Sequence, residues 1–139
     1  MLRVILRLSQ QNFEKFDARE RAGVGEQLRV LVSKGLNTEK SFFDHTLVEV
    51  FWYLFADSSN VEDLNVEIIF PTYEDYNPTR EQLVSMGKGV EYFLINTPAT
   101  QHKGIKTFKI SLIPQPETIF LWNRVKAYQE ELARKSAAY

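Results

Sequence analysis

The sequence predicts an α+β fold: one domain spanning residues 1–139, with a mainly antiparallel sheet packed by helices in the order β-α-β-β-α-β-α. Two observations carry this. Segments alternating with a period of two are interspersed with segments whose apolar residues recur at helical spacing, and two strands follow one another directly in mid-chain. The size agrees: 139 residues, 44% of them apolar, are enough to bury about two-thirds of the surface of the unfolded chain.

The first strand is "LRVILRL", where Val4 and Leu6 oppose Ile5 and Arg7. "DARERAGVGEQLRVLVSKG" follows, with Val24, Leu28 and Leu31 at helical spacing and Gly35 as a stop after Lys34. Gly23 and Gly25 each cost about 1 kcal/mol in a helix interior, so the helix is expected to begin after them. "HTLVEVFWYLFA" is the strongest strand, rich in β-branched and aromatic residues over 46–55. Both of its faces are apolar, which predicts a central position. Its expected antiparallel neighbour is "LNVEIIF", 64–70, joined through the polar "DSSNVED". Trp52, Val66, Ile68 and Trp122 are expected in the core.

Pro71 ends that strand and "TYEDYNP" reads as loop. Thr79 and Gln82 make a capping box for a second helix through Leu83, Met86 and Val90. "VEYFLIN" fits either a continuation of this helix or a strand. "IKTFKISLI" alternates as a strand, and the tail from Pro116 carries a helical stripe of Ile119, Trp122, Val125, Tyr128 and Leu132. No internal repeat is expected.

The net charge of −1 hides a segregation. Residues 41–79 hold eight acids and no lysine or arginine, whereas the segments before and after them are net basic. A sided surface of this kind steers a charged partner. Tyr73 and Tyr76 flank Glu74 and Asp75 in a loop, as aromatic anchors within an acidic rim do at protein interfaces. The expected partner-binding set is therefore Asp57, Glu62, Asp63, Glu67, Tyr73, Glu74, Asp75 and Tyr76.

Catalytic signals are sparse. The absence of cysteine removes thiol nucleophiles, disulfides and Cys-rich zinc sites. Asp44-His45 has the composition of an oriented base, yet neighbours on a strand point to opposite faces, so a strand-edge histidine is expected. "DSSNVEDLNVE" lacks the central glycine of a calcium loop. "SMGKGVEY" lacks phosphate-loop spacing. The lysines of "QHKGIKTFK" read as a solvated strand face. No catalytic residue, metal or cofactor is expected. "MLRVILRLSQ" is interrupted by Arg3 and Arg7, unlike a secretory signal, and "VFWYLFA" is too short to span a bilayer. Cytoplasmic location is expected.

In single-domain size, lack of cysteine and the acidic aromatic segment "FFDHTLVEVFWYLFADSSNVEDLNVEIIFPTYEDY", the chain resembles the stand-alone immunity proteins that bacteria make beside polymorphic toxins. The resemblance implies a non-enzymatic inhibitor whose partner is a basic toxin domain, for instance a nuclease, with no direct contact to nucleic acid or membrane. The alternatives are an assembly subunit with an aromatic interface and a small enzyme without a recognisable motif.

Overall fold

The computed structural model describes residues 2–37, 44–54, 62–72, 77–115 and 131–135. Its elements are β1 (Arg3–Leu8), α1 (Gln10–Glu14), α2 (Ala18–Leu36), a 3-10 turn (His45–Leu47), β2 (Glu49–Leu54), β3 (Leu64–Pro71), α3 (Arg80–Asn96), α4 (Pro98–Gln101) and β4 (Phe108–Gln115). Residues 131–135 are also helical. The expected α+β class is observed.

The strand pairing differs from the expected one. The sheet order is β2-β1-β3-β4: β1 pairs parallel with β2, β3 pairs parallel with β4, and only the central β1–β3 pair is antiparallel. β2 and β3 are therefore not neighbours, and β2, expected in the centre, is an edge strand. A parallel pair needs a crossover, and α2 and α3 supply the two.

The core follows from the alternation. Val4, Leu6 and Leu8 of β1 and Leu64, Val66, Ile68 and Phe70 of β3 are buried on one face. Val24, Leu28, Val32 and Leu36 of α2 and Met86, Val90 and Leu94 of α3 are buried in the same cluster. The two helices cross where Gly35 faces Met86, because a β-carbon at Gly35 would lie 2.7 Å from Met86 Cγ. The other sheet face carries Arg3, Ile5, Arg7, Phe51, Asn65, Glu67 and Ile69, all half-buried. The expected burial of Val66 and Ile68 is observed, both at 0% exposure. Trp52 is only half-buried, and Trp122 lies outside the described residues.

Helix starts are set by caps. Asp17 accepts from the Glu20 amide at 2.7 Å, and Glu20 accepts from the Asp17 amide at 3.1 Å. This reciprocal box fixes the start of α2 at Ala18 despite Gly23 and Gly25. The Glu20 amide, first of all, holds the Asp17 carboxyl below its ordinary pKa. Thr79 caps α3, and "VEYFLIN" continues that helix to Asn96. The chain then turns through α4 to Gly104, whose φ of 75° is the one positive value among the described residues.

The expectation of no repeat is corrected. The cap Asp17 recurs as Thr79, an offset of 62 residues. At that same offset Val24, Gly25, Leu28 and Val32 of α2 match Met86, Gly87, Val90 and Leu94 of α3, all buried except the half-buried Gly87. A β-carbon on Gly25 would meet Val50 at 3.5 Å, and one on Gly87 would meet Leu112 at 3.8 Å, again at the same offset. The chain is two β-α-β units back to back. Only the glycine is identical among these pairs, so the repeat conserves side-chain roles rather than letters.

Candidate functional site

The first unit opens a groove between α2 and the edge strand β2. Arg21, Ala22, Gly25, Glu26 and Arg29 line one side and Val50 and Trp52 the other, around a cavity of about 380 Å³. Residues 21, 25 and 29 are one turn apart, so they share a face. Gly25 keeps the groove open over Val50, because any side chain there would project toward the strand. Trp52 is steadied from below by Phe13 and Phe16, with ring centroids 6.4 and 5.5 Å away.

Charge sits above this apolar floor. The Arg21 guanidinium lies 4.3 Å over the Phe13 ring and donates to the Phe16 carbonyl. Arg29 Nη1 is 3.6 Å from Glu26 Oε2. Arg29 Nε is buried and has no hydrogen-bond partner in the structure. Two guanidiniums and one carboxylate line the groove, so its lining is net positive.

His45 stands beside it. Its Nε2 is 3.7 Å from Glu26 Oε1 and its Nδ1 is 3.8 Å from Asp44 Oδ1. The expectation that Asp44 and His45 diverge on a strand is overturned, because residues 45–47 form a 3-10 turn and β2 begins only at Glu49. Asp44 caps that turn. The Thr46 amide, and next its hydroxyl, hold the Asp44 carboxyl below the ordinary value. The imidazole thus has one carboxylate near each ring nitrogen and reaches the groove lining through Glu26, a set able to fix an organic acid and move a proton beside it. Among the described residues no group of three or more His, Asp or Glu could hold a metal ion.

Of the expected partner-binding residues, Glu62, Asp63 and Glu67 are described. Glu67 pairs with Arg7 at 3.2 Å on the sheet face away from the helices. Asp63 accepts from the Lys106 amide at 2.9 Å and the Thr107 amide at 3.2 Å. The Asp63 amide donates to Thr107 Oγ1 at 2.8 Å, so this residue staples the approach to β4. Glu62 is half-buried beside it. Asp57, Tyr73, Glu74, Asp75 and Tyr76 lie outside the described residues. Two of the three described acids are thus engaged within the chain.

The Lys106 amide is also the main reason the Asp63 carboxyl lies below its ordinary pKa. A depressed folded pKa gives stability that is complete above the unfolded value, about 3.9, and is lost as pH falls through the folded one. Asp63→Asn should therefore be less stable than the parent at neutral pH. The gap should close in urea titrations as pH drops from about 5 toward about 2.

No known family profile matches the chain, and no curated protein matches its sequence. Solved structures share its fold. A fused 4-OT, described as a symmetric trimer, superposes with a TM-score of 0.56 at 11% identity, over 84% of this chain and 87% of that one. N1, a member of the cis-3-chloroacrylic acid dehalogenase family, gives 0.53 at 13% identity over 95% and 99%. Pt0534, inactivated by 2-oxo-3-pentynoate, gives 0.50 at 11% identity over 83% and 85%. The fold of these three proteins is the fold of this chain. It overturns the resemblance to toxin-immunity proteins, and with it the expected toxin partner and the non-enzymatic reading. Among the described residues no helix is long and apolar enough to cross a membrane.

Proposed function

We propose that this protein is a small enzyme that moves protons on a small organic acid held in the groove under α2. The observation that carries the reading is His45, between Glu26 and Asp44 at 3.7 and 3.8 Å, beside the cleft lined by Arg21 and Arg29. The names of two proteins with this fold point the same way, since one is inactivated by an oxo acid and another belongs to a family named for chloroacrylic acid.

The substrate carboxylate lies against the guanidiniums, which match its two oxygens in geometry and charge. Trp52 and Val50 cover the hydrocarbon part. His45 takes a proton from the carbon next to the carbonyl, and the two flanking carboxylates offset the charge the ring gains. Arg29 faces the negative charge that develops on the carbonyl oxygen. The chain works as one domain over residues 1–139. It self-associates, as the fused 4-OT does, through the half-buried sheet face around Ile5, Phe51 and Ile69. The lack of cysteine fits a reducing cytoplasm.

The test is hydrogen–deuterium exchange at C3 of 2-oxopentanoate in D2O, followed by NMR. The protein should accelerate exchange catalytically. Exchange at the buffer rate across the pH range would refute the activity.

A further inference from the structure

The repeat builds a second groove in the second unit, between α3 and the other edge strand, β4. Its helix wall is Leu83, Val84, Gly87, Lys88 and Glu91, the positions of the first groove displaced by the same 62 residues. A β-carbon on Gly87 would point at Leu112 as one on Gly25 would point at Val50. The frame is therefore repeated, and the lining is not. Arg21 is replaced by Leu83, Glu26 by Lys88 and Arg29 by Glu91. The floor is hydrocarbon: Phe108, Ile110 and Leu112, each half-buried. The cavity is about 290 Å³. It shares Val84 and Lys88 with an adjoining cavity of about 460 Å³, which Arg80 also lines.

We infer that this second groove is a binding site for an amphiphilic carboxylate, with its hydrocarbon chain on the Phe108–Ile110–Leu112 floor and its carboxylate at Lys88. The chemistry selects this class. An open slot with three apolar side chains beneath it and Val84 on its rim, itself 43% exposed, leaves hydrocarbon in water until an apolar chain covers it. Arg80, Val84 and Lys88 are one turn apart on α3, so the two cations share a face; Glu81 and Glu91 also line these cavities, and the anionic head seats on the Arg80–Lys88 side. A short acid suited to the first groove leaves this floor uncovered. The inference rests on the repeat and the lining, and not on the activity proposed for the groove under α2.

Octanoate is the probe, with octan-1-ol and propanoate as comparisons, titrated into the full chain and followed through amide chemical shifts. Octanoate should bind saturably and move the amides of Gly87, Lys88 and Leu112, while propanoate does not. Lys88→Gln should weaken octanoate about tenfold and leave octan-1-ol unchanged, because it removes only the charged contact. Val84→Glu, at an exposed position that leaves the core intact, should abolish octanoate binding by placing a carboxylate between Arg80 and Lys88, where the head seats. Arg29→Ala should leave octanoate binding as it is, which separates this site from the first groove. Octanoate that fails to bind, that binds Val84→Glu as well as the parent, or that loses its binding with Arg29→Ala would overturn the assignment.

Discussion

His45→Ala should lower kcat/KM for exchange at C3 of 2-oxopentanoate by about 10²–10⁴-fold, the usual loss on removing a positioned acid–base group. The residue is exposed and lies in a turn rather than in the core. The variant should therefore unfold at the same urea concentration as the parent, and the loss should fall on chemistry rather than on the folded fraction. Asp44→Asn should give a smaller loss. Its carboxylate, tied to the Thr46 amide and hydroxyl at 2.9 and 2.8 Å, orients the turn and lies 3.8 Å from Nδ1, the ring nitrogen that does not face Glu26. A His45→Ala variant that exchanges at the parental rate would move the proton transfer to Glu26, the carboxylate that lines the groove.

Ile68→Ala should cost about 2–5 kcal/mol in urea denaturation, the range for emptying a packed site of this size. Ile68 is fully buried. It sits on the third strand of four, beside Val4 on β1 and Leu112 on β4. Removing its side chain therefore leaves a void where both β-α-β units meet the shared sheet. A cost near zero would contradict the packing of α2 and α3 on this face.

The local elements were largely legible in the sequence because their signals are local. The alternation of Leu64, Val66, Ile68 and Phe70, the box at Thr79 and the helical spacing of Val24 and Leu28 each reflect contacts within a few residues. Sheet order was not legible. The short polar connection after β2 favours a hairpin, whereas β3 lies on the far side of β1 from β2. The apolar content of "VEVFWYLFA" favoured a central strand. In an edge strand the same residues serve a different purpose: Val50 and Trp52 floor a groove, and Phe51 faces away from the helices.

The candidate site was hidden for similar reasons. Arg21, Gly25, Glu26 and Arg29 look like a solvated helix face, and nothing in their spacing says that an edge strand lies opposite. Asp44-His45 was visible as a pair but was assigned to a strand, where the two side chains diverge. The 3-10 turn brings both toward one side. The acidic segment carried the most conspicuous charge signal. In its described part Asp63 caps the Lys106 and Thr107 amides and Glu67 meets Arg7 across the sheet, two local duties that the charge count alone does not distinguish from a surface. The repeat escaped because offset positions share size and burial, as Val32 and Leu94 do, without sharing identity.

The groove under α2 is tested most directly by titrating 2-oxopentanoate into ¹⁵N-labelled protein while observing the Trp52 indole and the Arg21 and Arg29 Nε–H signals. Those signals should shift together and saturate, and Arg29→Ala should weaken the binding by about tenfold or more, as expected for loss of a charge-assisted pair. Saturable binding that leaves Trp52 and Arg29 unmoved, or that is indifferent to Arg29→Ala, would contradict the placement of the substrate in this groove.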